Sequence, residues 1–116
     1  MKTYNSKDLF IVKVLEACTS HITEQDNRLL KREDLADLAV YDIKGGKVQF
    51  GFLIYTGLEE GTSVQEEQSF TQESLKAAGF SDALYNLLSL ARKAGCKFLQ
   101  LDCDGVEYDD LPTFDW

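Results

Sequence analysis

The chain has 116 residues, hydrophobic side chains at 44% of its positions and a net charge of −8. This length fits one domain spanning residues 1–116, and the hydrophobic content excludes an intrinsically disordered chain. The excess of 20 acids over 12 bases argues against direct binding to nucleic acid or to an anionic membrane, because phosphate groups select Lys and Arg.

The first residues and the cysteines together predict a cytoplasmic protein. Residues 1–8 are polar, and the apolar run that follows is interrupted by Lys13 and has no cleavage pattern, so we expect no signal peptide. The cysteines are odd in number and widely spaced, which is typical of a reducing compartment. They form no CxxC motif, so the sequence does not predict a zinc site. It also contains neither GxGxxG nor GxxxxGK[ST], so we predict no cofactor.

A strand and a helix open the chain. Residues 9–17, LFIVKVLEA, are rich in apolar and β-branched side chains and predict a strand. Residues 22–30 predict a helix. Thr23 is its expected N-cap, and Asp26, three residues on, completes a capping box.

The segment that joins them, TSHITEQD at residues 19–26, contains the only histidine. Cys18, His21 and Asp26 supply the residue types of a nucleophilic or ligand site. Their spacing is poor for one, because a thiol at the end of a strand meets a histidine in the next loop only if that loop folds back. We therefore interpret the segment as the turn from strand to helix, and keep a weak ligand or hydrolytic site around Cys18 and His21 as the alternative.

Gly45 and Gly46 predict a tight hairpin between two strands. A two-residue turn at this point pairs Tyr41 with Phe50 on one face of the sheet. The same register pairs Ile43 with Val48 and Ala39 with Phe52.

Two further features of this hairpin bear on packing and assembly. Gly51, inside the second strand, indicates a bulge or a close approach of two backbones. If helices cover the face of Tyr41, the other face carries Val40, Leu53 and Tyr55. A partly apolar face of this kind would support a homodimer.

Two helices and a strand complete the pattern. Ser69 and Gln72 form a capping pattern for a short helix that Gly79 ends. Ser81 caps a second helix, and its apolar side chains recur at helical spacing. This stripe consists of Leu84, Leu87, Leu88, Ala91 and Ala94. Residues 97–103 predict the last strand.

The order of these elements predicts an α+β fold of the two-layer βαββαβ type. In its ferredoxin-like form a four-stranded sheet carries its helices on one face. An acidic tail that also contains aromatic residues, 104–116, follows the last strand. Such aromatics either tuck back onto the domain or anchor a partner.

The negative charge is concentrated in two segments. Residues 57–73 carry five acids and residues 102–116 carry six, and neither segment contains a base. A local charge of this kind is a candidate recognition feature, and we predict that it binds a partner together with the terminal tryptophan. The predicted partner-binding residues are Glu59, Glu60, Glu66, Glu67, Asp104, Glu107, Asp109, Asp110 and Trp116.

The acidic run at residues 102–110 invites comparison with a calcium loop. Gly105 is its fourth residue counted from Asp102, whereas an EF-hand loop needs glycine at the sixth position. The mismatch leads us to interpret the run as a solvated acidic turn and to predict no metal site, with a weak Mg²⁺ or Ca²⁺ site as the alternative.

Two stretches carry a resemblance to a known family: TSHITEQDNRLL at residues 19–30 and LPTFDW at residues 111–116. They resemble those of an uncharacterised family of small acidic bacterial proteins that are encoded on prophages, plasmids and genomic islands. The resemblance implies a bacterial or phage origin. It supplies no activity and no functional residue.

These observations favour a non-enzymatic binding protein of a phage or mobile element that engages a basic surface on a partner protein. Its sharpest form is a DNA mimic that inhibits a host defence nuclease of the restriction or RNA-guided type, in which carboxylates take the positions of phosphates. The alternative is a small cytosolic accessory domain with the weak site around Cys18 and His21.

Overall fold

The structure is a computed structural model that describes residues 11–32, 39–45, 48–57 and 71–116. Its strands are β1 (Lys13–Cys18), β2 (Val40–Gly45), β3 (Val48–Tyr55) and β4 (Cys96–Asp102), and its helices are α1 (Glu24–Leu30), α2 (Gln72–Ala77) and α3 (Asp82–Lys93). A single 3₁₀ turn, Thr19–His21, joins β1 to α1, as the turn interpretation predicts. None of the helices in the described ranges is long and apolar enough to cross a membrane.

The four strands form one mixed sheet in the order β1–β4–β3–β2. β1 runs parallel to β4, while β4 with β3 and β3 with β2 are antiparallel neighbours. The predicted α+β class, with a four-stranded sheet and helices, is confirmed. The ferredoxin-like strand order is not confirmed, because the helical connection from β3 to β4 joins adjacent antiparallel strands and not parallel strands with a third between them.

The core lies on one face of the sheet. Phe52 and Ile54 of β3 and Leu99 and Leu101 of β4 are at most 1% exposed, and they form one cluster with the apolar side chains of the helices. The buried stripe of α3 consists of Leu84, Leu87, Leu88 and Ala91. This stripe confirms the helical spacing read from the sequence, except that Ala94 lies beyond the helix end and is exposed.

The predicted register of the hairpin formed by β2 and β3 is wrong. The structure pairs Val40 with Ile54, Tyr41 with Leu53, Asp42 with Phe52 and Ile43 with Gly51. These pairs replace the three predicted ones. Two causes add up. Gly45 pairs with Val48, where the prediction paired Ile43 with Val48, so the strands are already offset beside the turn. The register then shifts again between residues 43 and 44, because an extra residue in one strand displaces every pair beyond it.

The face of the sheet opposite the core therefore differs from the expected one. Val40 packs against the core, so its predicted place on the open face is wrong. Tyr41 is 58% exposed and shares the open face with the half-buried Leu53. On the same face the rings of Tyr55 and Phe98 lie 5.9 Å apart. The homodimer through this face stays a prediction.

Gly51 marks a close approach of two backbones, as its position inside a strand indicates. A Cβ atom at this residue would lie 1.8 Å from the carbonyl oxygen of Leu101. Only glycine therefore lets β3 and β4 meet there. Gly51 pairs with Asp102, the last residue of β4, so the contact lies at the end of β4 from which the C-terminal residues depart.

One buried carboxylate joins the N-termini of α1 and α3. The predicted capping box is confirmed: Thr23 and Asp26 each accept the backbone N–H of the other at 3.0 Å. Asp26 also accepts hydrogen bonds from the backbone N–H and the hydroxyl of Ser81, the N-cap of α3, at 2.8 and 2.5 Å. Asp26 is completely buried, so these donors replace the water that a carboxylate requires.

The start of α2 differs from the expected one. Its N-cap is Thr71, which forms a capping box with Ser74, and not Ser69. Gly79 terminates the helix as predicted: it follows the C-cap Ala78 with a φ of 101°, a conformation that other residues rarely adopt.

Arg92 holds a buried positive charge in the last turn of α3. Its side chain is 3% exposed, and the structure shows no hydrogen-bond partner for its three guanidinium nitrogens among the described residues. The free-energy cost of burying a charge without a partner exceeds the stabilisation that the C-terminal end of the helix dipole provides. We expect Arg92→Met to raise the free energy of unfolding by about 1–2 kcal/mol, measured by urea denaturation.

The matched control for this prediction is the exposed neighbour Lys93. Replacing it with methionine should change the stability by less than about 0.5 kcal/mol. A loss of stability in Arg92→Met would show that the guanidinium is paired and would contradict the prediction.

Candidate functional site

The C-terminal tail, residues 104–116, folds back onto the end of β1. The backbone N–H of Cys18, the last residue of β1, donates to the carbonyl of Val106 at 2.8 Å. Gly105 permits this approach, because a Cβ atom there would lie 2.5 Å from the carbonyl oxygen of Ala17. The tail thus covers the C-terminal part of the free edge of β1.

His21 fixes the middle of the tail. Its Nε2 accepts the backbone N–H of Tyr108, and its Nδ1 lies against the carbonyl oxygen of Pro112, both at 2.8 Å. Because Nε2 accepts, the proton must reside on Nδ1 and be donated to Pro112. The ring is 1% exposed and stacks on Tyr108 with centroids 5.9 Å apart. The hydroxyl of Tyr108 donates in turn to the carbonyl of Glu16 at 2.6 Å.

The last residues are held by the turn that follows β1. The backbone N–H of Phe114 donates to the carbonyl of Ser20 at 2.8 Å, and the indole Nε1 of Trp116 donates to the carbonyl of Ile22 at 2.9 Å. Of the two outcomes open for the tail aromatics, tucking back onto the domain is the one observed. Trp116 nevertheless remains 49% exposed, so one side of its ring is available for contact.

The tail acids face outward from this anchored backbone. Asp104, Glu107, Asp109 and Asp110 are all exposed. Glu107 accepts a hydrogen bond from the hydroxyl of Ser20 at 3.3 Å. The other predicted partner-binding acids, Glu59, Glu60, Glu66 and Glu67, lie outside the described residues.

The three residues of the alternative site have separate partners. The thiol of Cys18 accepts the backbone N–H of Ser20 at 3.4 Å and lies 3.7 Å from the carbonyl of Cys103. Asp26 is turned toward the N-terminus of α3. Both nitrogens of His21 are bonded to the backbone of the tail, which leaves neither of them directed at an incoming substrate. The role of His21 as the anchor of the tail is not apparent from its local sequence.

Cys103 follows β4 directly and lies between two acids. Its thiol and the carboxylates of Asp102 and Asp104 could each offer one atom to a metal ion, all within 4.8 Å of one another. Three ligands from an exposed turn fall short of the six to eight oxygens that calcium takes. This cluster therefore carries no metal assignment.

The acids around Cys103 should slow its alkylation. Partial desolvation, followed by the negative charges of Asp104 and Asp102, raises the pKa of the Cys103 thiol above its usual value. A raised pKa lowers the thiolate fraction at any given pH, and the thiolate is the species that reacts. We expect iodoacetamide to modify Cys103 more slowly than a free cysteine at pH 8, measured by mass spectrometry of the alkylated peptides.

The matched variant is Asp104→Asn, which removes one charge and keeps the size of the side chain. It should raise the alkylation rate at pH 8 and leave the rate at high pH unchanged. Since Cys103 is exposed, equal rates in the variant and the parent would mean that the carboxylate does not control the thiol.

A cleft lies between the tail and α1, where β1 and β4 end. It has a volume of 170 Å³. It is lined by Thr19, Asn27, Lys31, Gly51, Phe52, Cys103 and Trp116. Its walls come from parts of the chain that are far apart in sequence, so no local motif announces it.

Comparison with known proteins places the chain in a family. The model of a family of unknown function (DUF5983), C-terminal domain, matches residues 14–116. No curated protein and no solved structure matches the chain. The matched range includes both stretches that carry the resemblance seen in the sequence, residues 19–30 and 111–116. The chain therefore belongs to the DUF5983 family, whose function is unknown.

Proposed function

We propose that this protein is a small acidic binding protein that engages a basic surface on a partner protein. The main support for the proposal is the structure of the tail: its acidic side chains are exposed, while its backbone is hydrogen-bonded to the domain. Residues 102–116 contain six acids and no base. The tail therefore presents charge of one sign in a fixed arrangement.

A fixed arrangement matters for affinity. A flexible acidic tail must be ordered when it binds, and each immobilised side chain or loop segment lowers the net binding free energy. Here the contacts of His21 with Tyr108 and Pro112 order the tail in the free protein. The acids can therefore attract a basic partner without the full ordering cost, and their field also speeds the encounter.

The finer form of the proposal is a DNA mimic of a phage or mobile element. Proteins with extended basic surfaces are chiefly those that bind phosphate backbones, and a defence nuclease of the restriction or RNA-guided type is such a partner. The half-exposed ring of Trp116 adds an aromatic anchor of the kind that dominates protein interfaces.

The test uses purified defence nucleases and measures DNA cleavage in the presence of the protein. The variant is Asp109→Asn with Asp110→Asn, which removes two exposed tail charges. Its matched control is Glu24→Gln with Asp82→Asn, which removes two exposed charges from α1 and α3, outside both acidic segments. We expect the parent and the control to inhibit cleavage and the tail variant to inhibit at least about fivefold more weakly at low salt, because it loses electrostatic attraction.

The dependence of inhibition on ionic strength distinguishes an electrostatic mechanism from a non-electrostatic one. Raising the ionic strength should weaken inhibition by the parent toward that of the tail variant, since screening shortens the reach of exposed charges. Equal inhibition by the tail variant and the control would contradict a role for the tail. If no nuclease is inhibited but a basic protein is bound with the same dependence on tail charge, the binding proposal stands without the DNA mimicry.

A further inference from the structure

We propose that the cleft beside Trp116 is a binding site for a small aromatic carboxylate. The inference does not depend on the proposed function, which rests on the outward-facing acids of the tail; Trp116 is the one residue that both use. It depends on the position of the cleft, the free polar groups that line it and its size.

The position is one where ligands commonly bind. β1 and β4 are parallel neighbours that end together at Cys18 and Asp102. Thr19 and Cys103 follow these strand ends directly, and both line the cleft. In open α/β sheets, ligands bind in the crevice outside the carboxyl ends of parallel strands, and the parallel pair of β1 and β4 offers such ends in this mixed sheet. The sheet thus delivers two cleft residues to such a crevice.

The apolar walls are firm. Phe52 forms one wall and is 1% exposed, so the core holds it in place. Trp116 forms another, and one edge of its ring is held by the hydrogen bond from Nε1 to the carbonyl of Ile22. Gly51, whose backbone lies close against that of Leu101, forms the strand surface beside them. Two aromatic walls favour a planar, apolar body between them.

Three side chains of the cleft carry polar groups that have no partner among the described residues. Asn27 lies in α1 and Lys31, four residues on, is the C-cap of that helix, so the two side chains lie on the same side. Among the described residues, no hydrogen bond or ion pair is formed by the side chains of Asn27, Lys31 or Thr19; the ion pair that α1 does form joins Glu24 to Arg28. An ammonium, an amide and a hydroxyl therefore remain to bind a ligand that enters the cleft.

Charge and volume define the ligand. The ammonium of Lys31 selects an anion. Asp102 and Asp104 next to Cys103 make a doubly charged phosphate less favourable than a singly charged carboxylate. A cavity of about 150 Å³ accommodates benzene, so 170 Å³ holds one aromatic ring, with its carboxylate directed to Lys31 at the open side.

The experiment uses benzoate as the probe and the fluorescence of Trp116, the only tryptophan in the chain, as the signal. We expect a saturable change with benzoate. Benzamide, which lacks the charge, and acetate, which lacks the ring, should give no saturation over the same concentrations. Lys31→Met should weaken benzoate binding about tenfold, because a charge-assisted contact is lost. Lys76→Met, an exposed lysine of α2, should bind as the parent does.

A second measurement reports on the same cleft without fluorescence. Bound benzoate should protect Cys103 from alkylation and leave the buried Cys96 unaffected, as measured by mass spectrometry. An unsaturable fluorescence change, equal affinity in Lys31→Met, or no protection of Cys103 would each overturn the site. The tail variant Asp109→Asn with Asp110→Asn should bind benzoate normally, so failure of the cleft and failure of the acidic surface are distinguishable.

Discussion

Asp26→Ala is expected to lower the free energy of unfolding by about 3–5 kcal/mol, the largest effect of any single substitution considered in this protein. The substitution leaves the backbone N–H groups of Thr23 and Ser81 without their acceptor. Both groups lie at helix N-termini, where no intrahelical partner can replace the lost one. Because Asp26 is completely buried, water cannot take its place without opening the contact between α1 and α3.

Two variants make this prediction specific. Asp26→Asn keeps one acceptor oxygen but turns an amide N–H₂ toward a donor, so its loss should lie between those of the parent and Asp26→Ala. Asp82→Asn removes an exposed acid from the first turn of α3 and should cost less than about 1 kcal/mol. Urea denaturation followed by circular dichroism measures all three. A loss in Asp26→Ala no larger than that in Asp82→Asn would show that the carboxylate does not join the helices.

The hydrogen bonds of Asp26 to Thr23 and those to Ser81 differ in whether the sequence predicts them. Its capping box with Thr23 is local: three residues separate the partners, and helix geometry alone sets their distance. Its bonds to Ser81 cross 55 positions and exist only after α1 and α3 have packed. Each N-terminus is therefore predictable by itself, whereas the link between them is not.

The hairpin illustrates the same limit within a few residues. The double glycine and the alternating apolar residues predict two paired strands, and Gly51 predicts the close approach to Leu101. Val48 pairs with Gly45 and not with Ile43, so the register differs from the prediction from the turn onward, and the bulge between residues 43 and 44 shifts the remaining pairs once more. No residue type marks that bulge. The place of β1 beside β4 is likewise decided by packing, since hydrophobic runs specify strands and not their neighbours.

The candidate site shows the same difference between local properties, which the sequence predicts, and long-range contacts, which it does not. The exposed acids of the tail are visible in composition, because charge is a property of each residue. The anchoring of the tail is not visible there, because it depends on contacts of Ser20, His21 and Ile22 with residues 87–94 positions further along the chain. A signal was nevertheless present: the two stretches that carry the family resemblance, residues 19–30 and 111–116, are the two that contact each other.

His21→Ala is expected to release the tail while the core stays folded. The substitution removes the acceptor of the Tyr108 N–H and the donor to Pro112, and it leaves a cavity beneath the tail. We therefore expect the free energy of docking the tail onto the domain to fall by about 2–4 kcal/mol. Hydrogen exchange should show fast amides at Tyr108 and Phe114 and unchanged protection at Leu88 and Leu99. Loss of protection throughout would mean that the tail is part of the core and is not a separately docked segment.

The same variant separates charge from arrangement in the proposed binding function. His21→Ala leaves every carboxylate in place and, with histidine neutral, keeps the net charge at −8. If a basic partner needs the fixed surface, the variant should bind it at least about tenfold more weakly than the parent at the same ionic strength, because the released tail must be reordered. If affinity is unchanged, the acids act by net charge alone, and the docked tail has no part in recognition.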